Sequence, residues 1–510
     1  MMLALLLLMA IFGFRRLFFC MKFMQQNNYY NGRFFRFAYL EHNLIDTHVF
    51  VPLLIAAALT LWIQSPWLLI LPAAAMVIQI MLEKNPLRGG IKPLVRTGRV
   101  KRIFWTAFLL WCAALGASYL LNSLSVLALM AIGAPLFIML ANLILVPIEK
   151  WIQQRYIDEA AARLKKYSPI VIGITGSFGK TSVKNILHHI LDSYSSSFTT
   201  KRSINTLMGI VRVIREEMNQ PYKYFVAELG IGDRGQMAQL ARFANPQYGM
   251  ITAVAAAHLE NFKTLDAVAR EKFRLSARVA KNGGRTILSA KNIAPEFIQK
   301  YASPNDIIFS GNEIENVRQT IDGLSFTFND DGEKYEIFAP VYGMHMAQNI
   351  AMAFVMARTL GVAADNIVLA MRTLKQTEHR LEVRREGNRT IIDDSFNSNL
   401  SGFLSALKTG AAIRGENRFI LITPGMVELG TMHAEQHQIV GAAANALADI
   451  VIAVNPGRIK DFTNQIASEK LVLAENLGAA REWLAVHAMP GDVVLYENDL
   501  PDVYIEKIRL

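Results

Sequence analysis

One glycine-rich segment constrains the fold of this chain more than any other. Residues 173–182 read Gly-Ile-Thr-Gly-Ser-Phe-Gly-Lys-Thr-Ser. An apolar run, 170–174, precedes the loop, and a helical pattern, 183–191, follows it. Strand, glycine loop and helix in this order are typical of a phosphate-binding loop. The glycines let the backbone approach a phosphate chain, and the N–H groups at the helix start point at its oxygens.

The side chains of this loop favour the same interpretation. Lys180 would reach the β- and γ-phosphates of a nucleotide, and the Thr181 hydroxyl would lie on Mg²⁺. Ile174 stands where the strict pattern has a glycine, so the generic motif matches only in part. The alternative is a glycine-rich turn without a nucleotide, but a Lys-Thr pair has no structural purpose there.

Charge and apolar residues divide the chain into two parts. Residues 1–150 carry 13 Lys and Arg against 4 Asp and Glu, a net charge of +9, whereas the rest carries +2. The basic pI therefore belongs to the apolar part, and nucleic-acid binding is a poor explanation of it. Cys20 and Cys112 also lie there. Two cysteines are too few for a four-ligand zinc site and suggest no disulfide framework.

Long uncharged apolar runs predict a membrane module of five helices in residues 1–150. Phe18, Phe19 and Phe23 follow the first run, where a cleaved signal peptide, the alternative, would have small residues. A re-entrant hairpin over 49–82 is the alternative for the second and third runs. Asp46 and His48 flank the second run, where polar residues are usually interfacial. The runs are 1–14 (extending as far as Cys20), 49–63, 66–82, 103–121 and 124–147.

Basic residues orient these helices. They concentrate in the loops 15–45 and 83–102, whereas the turns near 64–65 and 122–123 carry no charge. By the positive-inside rule, both loops lie in the cytoplasm. Five spans then place the N-terminus outside and everything after Lys150 inside.

The remaining two thirds of the chain predict an α/β protein. Strands alternate with amphipathic helices to about Lys375, which is the pattern of a doubly wound parallel sheet. Alternation at 306–309 and 324–328, with a turn at 329–332, predicts a small antiparallel insert, and a second α/β unit begins near Arg384. The other strands are predicted at 170–174, 223–229, 249–254, 389–393, 418–423, 450–454, 471–473 and 492–496, and the helices at 181–192, 205–218, 234–242, 264–280 and 345–360.

Polar residues at strand ends are candidates for chemistry, because these ends form the ligand crevice of open α/β sheets. Glu228 is a reasonable Mg²⁺ ligand there, with a helix N-cap acid as the alternative. His258 also follows a strand, although a lone histidine is usually structural. Asp393 and Asp394 open a polar run that is costly unless it meets ligands or caps. The alternative for this run is an Asx-rich turn with a helix cap at Asn399.

Seven motifs occur in an order that resembles the Mur ligases of bacterial cell-wall synthesis, nearest to the type that adds D-alanyl-D-alanine. The resemblance covers about 168–510. The motifs are Thr175-Gly176-x-x-Gly179-Lys180-Thr181, Asn205-Thr206-x-x-Gly209, Glu228-x-Gly230, Ala257-His258-Leu259-Glu260, Gly343-x-His345-x-x-x-Asn349, His379-Arg380 and Asp393-Asp394-Ser395-Phe396-Asn397-Ser398-Asn399.

The resemblance implies two domains and one reaction. A central P-loop domain at 151–380 and a Rossmann-like C-terminal domain at 381–510 follow the membrane module that the apolar runs predict at 1–150. With ATP and Mg²⁺, a carboxylate becomes an acyl phosphate, and an amine attacks it to give an amide. The amine belongs to a small amino acid or dipeptide. The acceptor is a cell-envelope precursor that is lipid-linked, polymeric (a γ-glutamyl polymer included) or UDP-linked.

The resemblance also implies roles for individual residues. Lys180, His258 and Lys272 match catalytic positions. Thr181, Glu228, His258 and Lys272 match ligands of two Mg²⁺ ions, and Lys272 is the lysine that several family members carbamylate; by spacing alone it is a surface lysine. Asn205, Asn397 and Asn399 are expected at the substrate. The expected nucleotide contacts are Thr175, Gly176, Ser177, Gly179, Lys180, Thr181, Ser182, Asn349 at adenine, Arg380 and Asp394.

Three departures from the family pattern concern the same sites. Arg274 replaces the glutamate two residues after the family lysine, and 496–499 read Tyr-Glu-Asn-Asp instead of Lys-Gly-Ser-Arg. A membrane module stands in place of the domain that grips the UDP-sugar. Two other functional classes fit the sequence less well. An ATP-driven transporter would carry a signature that this sequence lacks, and a catalytically inactive scaffold conflicts with the intact loop.

We therefore predict a multi-pass protein of the bacterial inner membrane with cytoplasmic catalytic domains. Reporter fusions at Gly90 and Gly311 should both score as cytoplasmic, because the distribution of basic residues places the segments that contain these two glycines in the cytoplasm. A fusion at Gly311 that scores outside would deprive the protein of ATP and contradict the assignment.

Overall fold

The computed structural model of the chain separates two units, Met1–Gln154 and Arg155–Asp499. Each is described by itself. The residues described are 2–41, 44, 47–59, 66–83, 85–87, 93–121, 124–255, 262–395, 398–427, 429 and 432–498.

The first unit is built from apolar helices. Within the described residues, three stretches are long and apolar enough to cross a membrane, namely Leu3–Gln26, Gly98–Leu120 and Ser125–Tyr167. The apolar helices Val49–Leu59 and Trp67–Leu82 are shorter. The helices are α1 (Met2–Gln26), α2 (Asn31–Phe35) with a π-helical turn (Arg36–Leu40), α3 (Thr47–Leu59), a 3-10 turn (Pro66–Leu69) that leads into α4 (Ile70–Leu82), α5 (Gly98–Leu120) and α6 (Leu124–Tyr167).

These helices differ in length from the predicted runs. Helix α1 continues past Cys20 to Gln26, and α6 continues past 147 to Tyr167. Asp46, the side chain of His48 and the turns 64–65 and 122–123 lie outside the described residues. The number of spans and their orientation stay predictions.

Helix α1 is held by contacts along its length. The Trp111 indole N–H of α5 donates to the Met9 carbonyl at 3.2 Å. The Arg16 guanidinium forms a buried ion pair with Glu83 at 2.7 Å and also donates to the Leu44 carbonyl at 3.0 Å. A buried charge persists only when it is paired in this way. Whether this first helix is retained stays a prediction.

A parallel sheet of six strands forms the centre of the second unit, in the order β2-β3-β1-β4-β5-β6. This confirms the doubly wound pattern. The strands are β1 (Ile170–Thr175), β2 (Ser197–Thr199), β3 (Tyr224–Glu228), β4 (Tyr248–Ile251), β5 (Arg285–Ser289) and β6 (Ile307–Phe309). The helices are α7 (Lys180–Tyr194), α8 (Leu207–Glu217), α9 (Gln236–Ala244), α10 (Leu265–Lys281), α11 (Pro295–Tyr301), α12 (Met346–Thr359) and α13 (Ala364–Met371).

The prediction for 306–309 was wrong. This segment is β6, which pairs in parallel with β5 at the sheet edge. Three residues of alternation do not distinguish a parallel edge strand from an antiparallel one. The antiparallel insert consists of β7 (Ile314–Thr320), β8 (Gly323–Asp330) and β9 (Glu333–Ala339), and the predicted turn 329–332 joins the last two.

A second sheet of six strands follows, in the order β10-β11-β15-β12-β13-β14. Its strands are parallel except β10, which is an antiparallel edge. The strands are β10 (Glu382–Glu386), β11 (Arg389–Asp394), β12 (Phe419–Thr423), β13 (Ile450–Val454), β14 (Leu471–Ala474) and β15 (Val493–Glu497). The helices are α14 (Leu400–Ile413), α15 (His433–Leu447), α16 (Lys460–Thr463) and α17 (Leu477–His487).

The closest packing of α1 yields a stability prediction. A Cβ on Gly13 would lie 2.2 Å from the Trp111 ring, so a neighbour must move to admit it. Gly13→Ala should destabilise the protein by about 1–3 kcal/mol, as overpacked cores do. Thermal unfolding in detergent measures this. Gly116→Ala is the matched control, because nothing lies within 4 Å of its Cβ position; equal melting temperatures for both variants would contradict the prediction.

Candidate active site

The glycine-rich loop joins the end of β1 to the start of α7, as predicted. Gly179 has φ +79°, in the left-handed region that favours glycine. A Cβ on Gly176 would lie 2.0 Å from the Thr252 hydroxyl oxygen. That hydroxyl, beyond the end of β4, donates to the Phe178 carbonyl. The loop is therefore braced from the neighbouring strand, and the two glycines make room for the brace.

Other predicted residues complete the loop. The Ser177 hydroxyl accepts from the Ala255 N–H at 2.9 Å, and it lies 3.0 Å from the Ala255 carbonyl, to which it donates. The Lys180 ammonium donates to the Gly176 carbonyl at 2.7 Å. Thr175 is fully buried, and its hydroxyl finds no partner in the described part of the chain.

Glu228 lies at the centre of the polar cluster beside this loop. Its carboxylate accepts from the Thr181 hydroxyl at 2.8 Å and from the Asn205 side-chain amide at 2.9 Å. The alternative N-cap role is not observed, because Gly235 is the N-cap of α9. A hydroxyl and a carboxylate, which are oxygen donors suited to Mg²⁺, thus converge at the strand ends. Thr181 and Glu228 fit that ion.

A second lysine, Lys184, lies beneath the cluster. Its ammonium is 4.0 Å from the Glu228 carboxylate and donates to the carbonyls of Thr200, at 2.6 Å, and Arg202. Burial lowers the pKa of Lys184 to about 8, against the opposing effect of Glu228. Burial likewise lowers the pKa of Lys180, with Glu228 opposing and Arg380 reinforcing the change. Glu228 is thus the anion that makes two desolvated cations tolerable.

Lys272 is buried, so the surface position suggested by its spacing was wrong. Its exposed fraction is 3%. Burial, and then the charge of Lys180, lowers its pKa well below the usual value. Among the described residues its ammonium has no hydrogen-bond partner. The Arg274 guanidinium forms an ion pair with the Glu271 carboxylate at 3.2 Å. His258 lies outside the described residues, and its role stays a prediction.

A pocket of about 310 Å³ opens next to the loop. Predicted nucleotide residues from both sheets line it, namely Gly179, Ser182, Asn349, Arg380 and Asp394, together with Asn399. Asn349 is buried at the start of α12, and a Cβ on Gly179 would lie 3.1 Å from the side-chain amide oxygen of Asn349. The pocket and the loop fit a nucleotide whose phosphates lie at the start of α7.

The chain that joins the two sheets passes this pocket at Arg380. Both neighbours of Arg380 have left-handed backbone, with φ +57° at His379 and φ +48° at Leu381. The Leu381 N–H donates to the Asp394 carboxylate at 3.1 Å. The next acid, Asp393, accepts from the imidazole of His379 at 2.9 Å. The two adjacent acids therefore fix the backbone on both sides of Arg380.

The predicted substrate residues have different surroundings. Asn205 lies in the Glu228 cluster. Asn399 is the N-cap of α14, accepting from the Gly402 N–H at 3.0 Å, and it also lines the pocket. Asn397 lies outside the described residues. Substrate contacts by all three stay predictions.

Sequence reasoning assigned no role to three residues of the site. Lys184 lies one turn after Lys180 on α7, a spacing that places both on one helix face. Thr252 comes directly after β4, and Glu228 is the last residue of β3. Glu497 ends β15 in register with Asp394. A search for polar residues at every strand end would have found the last two.

Comparisons with known proteins agree with this geometry. The model of the Mur ligase middle domain matches residues 174–357, and that of the Mur ligase glutamate ligase domain matches residues 379–496. The UDP-N-acetylmuramoyl-tripeptide–D-alanyl-D-alanine ligase of Buchnera aphidicola is 29% identical over 56% of this chain and 64% of its own length. The enzyme of that name from Escherichia coli is 29% identical over 58% of this chain and 67% of its own.

This chain thus spans about two thirds of the length of those relatives. Among solved structures, MurF from Thermotoga maritima in complex with ADP aligns with a TM-score of 0.60 at 24% identity. The alignment covers 70% of this chain and 82% of that one. This likeness establishes the fold of the second unit.

The brace beneath the loop gives a prediction for nucleotide binding. Gly176→Ala places a methyl group against the Thr252 hydroxyl and should displace the loop. We expect affinity for Mg-ADP to fall on the order of tenfold or more, the loss of at least one good contact to the phosphates. Displacement of a fluorescent ADP analogue from the purified protein measures it. Gly232→Ala is the control, because its nearest neighbour would be 3.9 Å away. Unchanged affinity in Gly176→Ala would contradict the site.

Proposed function

We propose a function on one premise: the chain belongs to the Mur ligase family and carries its middle and C-terminal domains. On this premise the protein is an ATP-dependent ligase that joins the carboxylate of a bacterial envelope precursor to an amine. The observation that carries the proposal is the Lys180, Thr181 and Glu228 cluster beside a pocket shared by both sheets.

The chemistry proceeds in two displacements. A carboxylate oxygen of the acceptor attacks the γ-phosphorus of ATP, and ADP leaves. The amine then attacks the carbonyl carbon of the acyl phosphate, phosphate leaves, and the nitrogen loses a proton. Both steps place negative charge near the loop. Lys180 and the N–H groups at the start of α7 stabilise that charge in fixed positions, which is where most of the rate enhancement of such a site originates.

Two groups of residues would hold Mg²⁺. Thr181 and Glu228 supply oxygen donors for one ion, and His258 with a carbamylated Lys272 would supply donors for a second. When bound, Mg²⁺ neutralises charge on the transferring phosphoryl group. Lys272 fits carbamylation, because that reaction requires a neutral amine and burial favours the neutral form.

The names of the relatives support D-alanyl-D-alanine as the amine and UDP-muramyl tripeptide as one acceptor. A second acceptor class, lipid-linked or polymeric, is favoured by the helices that precede β1. Three of them are long enough to cross a bilayer. Confinement of an enzyme and a lipid-linked acceptor to one thin layer raises their effective concentration. We therefore place the protein in the inner membrane, with its second unit in the cytoplasm.

Ligation by the intact chain tests the function. The full-length protein, purified in detergent, receives ATP, Mg²⁺, amino acids or dipeptides, and both acceptor classes. ADP release and product mass are followed together. Sustained release of ADP over many turnovers should require both an acceptor and an amine. In Lys180→Ala the rate of ADP release should fall by several orders of magnitude, because a cation that contacts the transferring phosphoryl group lowers the activation barrier by several kcal/mol. Normal turnover by this variant would contradict the loop assignment.

Lys272 provides a separate prediction. Lys272→Ala should be inactive, and formate or acetate should partly restore activity by supplying the missing carboxylate. The Lys281→Ala variant, an exposed lysine at the end of the same helix, is the control. Full activity of Lys272→Ala without added carboxylate would exclude a carbamate at this position.

A further inference from the structure

Two acidic residues meet at the carboxyl ends of neighbouring strands in the second sheet. Asp394 on β11 and Glu497 on β15 are paired in register. Their exposed fractions are 8% and 0%, respectively. Asp394 also lines the pocket proposed for the nucleotide. A pair of buried acids at a site for a polyanion requires an explanation, because two ionised carboxylates there would repel each other and the ligand.

The contacts of the pair show how it is arranged. The Ser398 hydroxyl donates to one carboxyl oxygen of Glu497 at 2.6 Å. The other oxygen of Glu497 accepts from no N–H or O–H group in the described part of the chain. The two carboxyl groups lie within hydrogen-bonding reach of each other. A carboxylate cannot donate, so this contact becomes a hydrogen bond only when one of the two carries a proton.

The surrounding charges determine which acid holds that proton. Arg380 faces both acids, Asp393 adjoins Asp394, and the Leu381 N–H donates to Asp394. Burial raises the pKa of Asp394, and Arg380 and the Leu381 N–H oppose that change. Burial and the charge of Asp394 both raise the pKa of Glu497 well above its usual value. Asp394 already accepts from the Leu381 N–H, whereas the second oxygen of Glu497 accepts from no group in the described part of the chain. A proton shared by the pair is therefore better placed on Glu497, as a donor to the carboxylate of Asp394.

We propose that Glu497 is a positioning residue of the nucleotide site: as a neutral carboxylic acid held by Ser398, it donates a hydrogen bond to Asp394 and thereby holds Asp394 and Arg380 at the pocket. The proposal rests on the proposed function only in taking the ligand to be a nucleotide. The Asp394 carboxylate then accepts from two donors, Glu497 and the Leu381 N–H, and the Arg380 guanidinium balances its negative charge.

The arrangement has a consequence for pH dependence. Loss of the shared proton adds a negative charge beside Asp394, so affinity for a nucleotide should fall as pH rises. Lys180 and Lys184, which face Glu228 and whose pKa values burial lowers, also lose charge at alkaline pH. Burial raises the pKa of Asp393, but its hydrogen bonds outweigh that effect and lower it, so Asp393 stays ionised. A variant that removes only the shared proton separates these contributions. Glu497→Gln is such a variant, since its amide donates to Asp394 and its carbonyl accepts from Ser398 at every pH.

The test uses full-length protein in detergent and Mg-ADP as the probe, titrated from pH 6 to pH 9. Glu497→Gln should bind within about twofold of the wild type at pH 6 and lose less affinity at pH 9. Glu497→Ala should bind on the order of tenfold more weakly at all pH values, the effect of one lost hydrogen bond to a charged group. Glu475→Gln, an exposed acid of the same domain, should follow the wild type.

Infrared spectroscopy provides a readout that needs neither ligand nor activity. The wild type at pH 7 should show the carbonyl band of a buried carboxylic acid, and Glu497→Gln should lack it. Absence of that band from the wild type overturns the proposal, as do identical affinities and pH profiles for wild type, Glu497→Gln and Glu497→Ala. A wild type that shows the band but binds no ADP contradicts the proposed function instead.

Discussion

The carboxylate of Glu228 is the interaction on which the second unit depends. It joins the end of β3 to the start of α7 through Thr181 and to the segment before α8 through Asn205. Lys184, fully buried below it, has this carboxylate as its counter-ion at 4.0 Å. Removal of one partner of a buried ion pair usually costs about 3–5 kcal/mol, because the other charge is left uncompensated. One side chain therefore serves the fold and the site together.

Much of this unit could be predicted from the sequence, because its local signals agree. The glycine loop is preceded by an apolar strand and followed by a helix, and the observed β1 and α7 match both. The five parallel strands of the second sheet also lie within a residue of their predicted bounds, whereas the antiparallel edge strand β10 was not predicted. Strong period-two and helical patterns, bounded by glycine and polar residues, leave few alternatives.

The rest depends on long-range packing that spacing does not encode. Helix α10 is amphipathic and rich in charge, so its pattern places Lys272 on the surface, yet Lys272 is buried. The helix as a whole packs against α9 and strands of the central sheet, which its spacing does not reveal. Glu497 lies beside Asp394 because β15 pairs in register with β11, about a hundred residues earlier in the chain. Sequence patterns do not reveal this pairing. For the first unit, the sequence predicted the type of structure, apolar helices, because long apolar runs indicate them. The lengths of α1 and α6 exceed those runs, because charged residues continue both helices.

The path of the chain around Arg380 has a consequence for how the two sheets work as one site. His379 and Leu381, on either side of Arg380, both have left-handed backbone, which costs free energy in residues other than glycine. Such a conformation persists only where the surrounding structure holds it in place. Here the surroundings are Asp393 and Asp394, which belong to the second sheet. These two bonds therefore hold the covalent crossing between the sheets on either side of Arg380. Because this segment is bonded to the second sheet and Arg380 lines the pocket, a movement of one sheet against the other would change the pocket wall at this arginine.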